Sequence, residues 1–294
     1  MATRVVASAG IGDIVTGPPR ELDVLAAFPR AVYLRHRDGL IAVVTRDGVH
    51  LPNALVLREV AAASPLRGCH VHQRGVVGNG RLELGHLELS VARWWRPRPA
   101  LADVDAGSLA RTLADAQRHL ARIADPLPDH LAAPFGRFVA ALGAGRAPAA
   151  LAAGRQLVGR GPGLTPAGDD LVAGLVAAAL LLAPAVSGAG PAALAAVAGE
   201  VGTSLAASSA DATTAVSAAL LRHAVVGEVA RPVADLLVAL TGRGALAPAV
   251  DGLVSVGATS GRDLATGVLA GARLVVEAAR SAAGVGTIEH EEVA

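Results

Sequence analysis

The sequence predicts an α+β protein, with a small N-terminal antiparallel β domain followed by an alanine-rich, all-helical domain. Three observations predict it. All six aromatic residues, from Phe28 to Phe138, lie in the first half of the chain. The N-terminal part is made of short apolar runs separated by Asp-Gly and Asn-Gly dipeptides, the turn chemistry of hairpins. From Ser108 onward the apolar period becomes helical.

Taken in order, Tyr33–His36 and Ile41–Thr45 flank the hairpin signal Asp38-Gly39, and Asp47-Gly48 repeats it. Asn79-Gly80 joins Val71–Val77 to Arg81–Leu84, and His86–Arg93 alternates as a further strand. Several short strands with such turns predict an antiparallel sheet or small barrel over residues 1–100. Arg96-Pro97-Arg98-Pro99 reads as a linker, because proline removes donors and biases its predecessor to extended geometry. Leu109, Leu113, Leu120 and Ile123 then share one helical face until Pro126 and Pro128 stop it. Residues 101–283 read as a helical domain, and 284–294, acidic and poor in apolar side chains, as a disordered tail. Leu171–Val186 is the longest apolar stretch. It is interrupted by Gly174 and Pro184, falls short of the ~20 residues a membrane span needs, and reads as a buried helix.

Composition excludes several classes. The formal net charge of +1 on 294 residues provides no field for nucleic acid or an anionic membrane. All 26 basic residues are arginine, which rules out Schiff-base chemistry and a P-loop lysine. Cys69 is the single cysteine, so no intramolecular disulfide forms. The N-terminus lacks the apolar run of a signal peptide, and a cytoplasmic protein is expected. No cofactor is called for, and no metal: His70 and His72 share one face of an expected strand, but zinc needs three or four ligands.

The most informative segment runs from Gly159 to Asp170, Gly-Arg-Gly-Pro-Gly-Leu-Thr-Pro-Ala-Gly-Asp-Asp. Thr165 reads as an N-cap and Pro166 as the first residue of the apolar helix. Gly161 and Gly163 permit close backbone approach to a ligand, with Leu164 between them and Thr165. Amides at the helix start, including that of Gly168, suit an anion, and Arg160 adds a guanidinium fork. Asp169 and Asp170 are about 100° apart on a helix, so one faces a site while the other caps or solvates. The alternative is a well-made helix start without a ligand, since acids there are stabilised by the helix dipole.

A second segment echoes the first. Gly257-Ala258-Thr259-Ser260-Gly261-Arg262-Asp263-Leu264 reproduces, with one deletion, the order Gly-x-Thr, Gly, Asp-Leu, and Gly267 repeats the glycine four residues after the acid, as Gly174 does after Asp170. Two helix starts therefore converge, each offering amides and one acid, with Asp170 and Asp263 as the acids and Thr259, Ser260 and Gly261 beside them. Two ordinary capped helices packing at glycine would read the same way. Thr213, Thr214 and Ser217 form a third polar patch in an expected helix over Ala210–Val226, where hydroxyls back-bond to the preceding turn or contact a substrate.

These segments resemble the AllH family. Its signature, GLGPGLTPSGDD, is matched with Arg160 in place of the leucine and Ala167 in place of the serine. The patterns around Thr213, Thr214, Ser217, Leu220 and Gly227 and around Thr259-Ser260-Gly261 also match, although Ala258 stands where histidine is usual. Trp94-Trp95-x-Pro97 fits as well, so the likeness extends over roughly positions 20 to 280. The resemblance implies a subunit of an oxamate carbamoyltransferase in allantoin and purine degradation. That enzyme turns oxalurate and phosphate into oxamate and carbamoyl phosphate with two other, different subunits. A non-catalytic structural subunit and a stand-alone small-anion binding protein are the alternatives.

Overall fold

The computed structural model describes residues 2–37 and 39–286, with side chains as far as 282. The chain divides into two compact units. One comprises the residues up to Arg98 together with Glu228–Arg231, and the other Pro99–Gly227 and the residues from Pro232 on.

The first unit corrects the expected fold class. It is a closed eight-stranded barrel of mixed direction, not a small antiparallel domain. Its strands are β1 (Thr3–Ser8), β2 (Arg20–Ala27), β3 (Ala31–His36), β4 (Gly39–Val44), β5 (Ala54–Val56), β6 (Arg74–Gly78), β7 (Arg81–Leu84) and β8 (Leu87–Trp95), with a one-turn helix α1 (Gly12–Thr16) after β1. They close in the order β1-β5-β4-β3-β2-β6-β7-β8. Two pairings are parallel, β1 with β8 and β4 with β5. Parallel neighbours cannot be joined by a tight hairpin. The connection containing Asp47-Gly48 is therefore a longer return loop, in which the Gly48 amide donates to Thr45 O at 2.9 Å.

The other two turn signals lie where they were expected. β3 and β4 pair as far as His36 opposite Gly39, and Asp38 itself lies outside the described residues. β6 and β7 close on Gly78 opposite Arg81, with Asn79 and Gly80 at φ +51° and +77°. Both are left-handed, the geometry that a type I′ turn demands. His70 and His72 are not on a strand but in the turn before β6, so they share no strand face. Alternating side chains fill the barrel: Val24, Val32, Leu34, Ile41, Val43, Leu55, Leu82 and Leu84 are all fully buried.

The second unit contains α2 (Ala106–Ile123), α3 (Asp129–Gly143), α4 (Ala147–Arg155), α5 (Ala167–Val186), α6 (Ala189–Ala207), α7 (Ala215–Ala224), α9 (Leu246–Val254) and α10 (Ser260–Gly286), with α8 (Arg231–Leu240) entering it from Pro232. Asp105 caps α2, its carboxylate accepting from Ser108 N at 2.9 Å. Leu109 and Leu113 face the core as expected, but Ile123 is exposed. Residues 284–286 close α10, and the rest of the expected tail lies outside the described residues.

The apolar stretch proves longer than the sequence indicated. α5 spans 20 residues and takes Pro184 into its last turn. It is apolar and long enough to cross a membrane, yet 78% of its apolar window is buried inside the protein. It is the core helix of the unit. Its main partner is α10, and glycine sets their crossing. A Cβ at Gly174 would fall 2.5 Å from Leu264 O and 3.0 Å from Val268 N. A Cβ at Gly267 would press closer still on Leu171 O and 3.0 Å from Leu175 N. The two contacts are reciprocal, each glycine meeting the other helix at the position corresponding to its own, so the crossing has a local two-fold character.

Candidate functional site

The site predicted from the sequence lies where α5 and α10 begin, wholly within the helical unit. Its two halves meet. Thr165 Oγ1 is 2.7 Å from Ser260 Oγ, and Ser260 in turn hydrogen-bonds the Asp170 carboxyl. Thr165 is thus not the N-cap expected. Pro166 takes that position, with extended backbone at φ −52° and ψ 138°, and α5 starts at Ala167.

The helix-start amides are already engaged. Gly168 N donates to Arg160 O at 2.9 Å, and Asp169 N and Asp170 N donate to Pro166 O at 2.9 and 3.2 Å. Gly161 and Gly163 are exposed, with φ of +123° and +92°. Arg160 is exposed too, its Nη1 lying 3.5 Å from His130 O. On α10, Asp263 N donates to Thr259 O at 3.0 Å, which makes Thr259 the capping carbonyl and leaves Ser260 to face Thr165.

Asp169 and Asp170 face different ways, as their 100° separation requires. Asp169 is a clamp. Its Oδ1 accepts the Gly159 amide at 2.9 Å, and its Oδ2 accepts the Thr213 hydroxyl. Ser217 hydrogen-bonds the same carboxylate. Thr213 precedes α7 rather than lying inside it. Thr214 is the α7 N-cap, accepting from Ser217 N at 3.1 Å while its hydroxyl donates to Leu164 O. The patch therefore does not back-bond to its own helix but secures the glycine-rich loop from 44 to 50 residues away. Glycine is required at 159, at φ +76°, because a Cβ there would run into Ala212 O.

Asp170 and Asp263 are the buried acids, 4% and 0% exposed. Each keeps one carboxyl oxygen, Oδ2, buried and without a hydrogen-bond partner among the described residues. Burial holds Asp170 well above the usual carboxylate range. The Ser260 hydrogen bond works against that shift, while the charges of Asp263 and Asp169 add to it. Asp263 is also raised by burial, an effect opposed by the hydrogen bonds and charge of Arg262 and by Thr259. Asp169 is raised by burial and held down by Thr213, the Gly159 amide and Ser217. A cluster of carboxyls all raised by burial occurs in acid–base sites and in structural networks alike.

Arg262 was not among the expected site residues. Its Nε and Nη2 both donate to Asp263 Oδ1, at 2.9 and 2.6 Å. The signal was its place in the second motif, directly before the acid, and the 100° rule for adjacent residues hid it. A long guanidinium side chain reaches back across that angle. Gly261 and Gly168 hold equivalent positions: a Cβ at either would collide with a carbonyl oxygen, Leu253 O at the end of α9 or Leu157 O in the turn after α4.

The motif region is similar to a known family. Residues 157–272 match the AllH family. The family is described as oxamate carbamoyltransferase subunit AllH, and the match runs from Leu157, just after α4, into α10, so it contains both halves of the site. The resemblance read from Gly159–Asp170 and Gly257–Asp263 is thereby borne out, whereas the barrel lies outside the matched residues. No curated protein and no solved structure matched the chain.

Proposed function

We propose that this chain is a subunit of an oxamate carbamoyltransferase, cytoplasmic and working with other subunits, and that the junction of α5 and α10 holds the carbamoyl group. One observation carries the reading. Within the segment that matches the AllH family, two distant motifs meet at Thr165 and Ser260 and bring together two buried acids, each with an unpartnered oxygen.

The reaction implied by the family resemblance joins a phosphate oxygen to the ureido carbon of oxalurate. The bond from that carbon to the oxamate nitrogen breaks, and the nitrogen takes a proton. Asp170, which burial favours in the neutral form, supplies that proton as general acid. Asp263, kept charged by Arg262, accepts a hydrogen bond from the carbamoyl NH₂ and orients it. No residue of this chain needs to act as nucleophile, because phosphate attacks directly.

The test is reconstitution with the other subunits, followed by measurement of phosphate-dependent carbamoyl phosphate formation from oxalurate. Asp170→Asn keeps the shape and removes the transferable proton, and a loss of about 100-fold in kcat is expected. Full activity in that variant would remove the acid's role. A second reading, a structural subunit, is favoured by the engagement of the Gly168, Asp169 and Asp170 amides and by the burial of both acids. It is supported if activity needs the chain but tolerates Asp170→Asn.

A further inference from the structure

Beside Arg262 lies a hollow of about 420 Å³ lined by α2, the connection that follows it, Phe135 of α3, and α10. Arg262 lines it, as do Leu120, Phe135, Leu269 and Thr266. The size is within the range of small-molecule sites, and the lining is of the usual kind, mostly apolar with a few polar groups.

The Arg262 side chain is only 16% exposed. A guanidinium carries five N–H donors. Two go to Asp263 Oδ1, and the side chain that carries the other three lines the hollow. Asp263 fixes the fork, so the ordering entropy of a long side chain is already spent before any ligand arrives. Arg262 also sits in the first turn of a 27-residue helix, where the dipole favours negative charge. The other ionisable groups on the lining are Asp125 and Arg273, and Arg273 has Glu277 at 3.8 Å.

We propose that this hollow is a binding site for a small oxyanion, a carboxylate or a phosphate, gripped by Arg262, with Asp263 as the positioning residue. The apolar wall takes the body of an organic anion, and the guanidinium takes its charged end. The site stands on Arg262 and the hollow alone and goes beyond the transferase reading.

The test uses the full chain, with inorganic phosphate and oxamate as separate probes, followed by calorimetry and by the thermal shift each produces. Saturable binding of at least one probe is expected, and the stronger of the two identifies the oxyanion class. Arg262→Gln is expected to weaken it tenfold or more. Because that variant strips a buried acid of its partner and risks misfolding, Ala121→Phe serves as the second. It fills the hollow from the exposed face of α2 without touching the ion pair, and it should abolish binding. Arg58→Gln, on the barrel unit, should bind as wild type. Absence of binding to the wild-type chain overturns the proposal, as does wild-type binding in a folded Ala121→Phe. Failure of the transferase reading has a different signature: binding that persists in a complex without carbamoyl transfer.

Discussion

The starts of α5 and α10 carry the same motif and put it to different uses. Gly168 and Gly261 occupy matching places, as do Asp170 and Asp263, and Gly174 and Gly267. The position between glycine and acid does not correspond. On α5 it is Asp169, which reaches away from the crossing to hold the Gly159 amide and Thr213. On α10 it is Arg262, which turns back on its own neighbour, Asp263. One charge reversal in a repeated frame gives one acid without a cationic partner and one with it. The backbone frame, set by glycine, is shared; the electrostatics are not.

The largest effect should come from breaking what the two starts share. Gly267→Leu drives a side chain into Leu171 O and is expected to destabilise the chain by about 4 kcal/mol, an overpacking cost at the upper end. Chemical denaturation measures it. A loss below about 1 kcal/mol would mean that the crossing yields and the glycines do not set it.

The two divergent positions should differ next. Arg262→Met leaves a buried carboxylate unpaired and should cost about 3 kcal/mol at neutral pH. The deficit should shrink in acid, where Asp263 protonates and needs no cation. Asp169→Ala should cost about 2 kcal/mol, because it orphans the Gly159 amide and the Thr213 hydroxyl. Hydrogen exchange distinguishes them: Asp169→Ala should lose protection at Gly159, and Arg262→Met should not.

An effect of opposite sign belongs to Asp170→Asn. Burial raises the native pKa of Asp170 above its unfolded value of 3.8, so the native state binds more protons in the interval between the two. Stability from this group therefore falls as pH rises from 3.8 through the native value. Asp170→Asn removes that slope, and its Tm should gain on wild type as pH increases. Parallel Tm curves would mean that Asp170 is not buried in its neutral form.

The sequence foretold unequal parts of this structure. Alternation and turn dipeptides located β3, β4, β6, β7 and β8, because those signals are local. β5 is only three residues long, and the parallel pairings of β1 with β8 and β4 with β5 join remote segments, which no local pattern encodes. The meeting of the two motifs was readable because both keep the same spacing of glycine and acid. What the hydroxyls do was not, since Thr213, Thr214 and Thr165 take partners 44, 50 and 95 residues away.

Closure of the barrel has a consequence for assembly. β1 bonds to both β5 and β8, so among the described residues every strand of the cylinder has a neighbour on each side. Among the described residues a partner meets no edge strand to extend, which disfavours recognition by added strands. The same closure protects this unit from edge-to-edge aggregation.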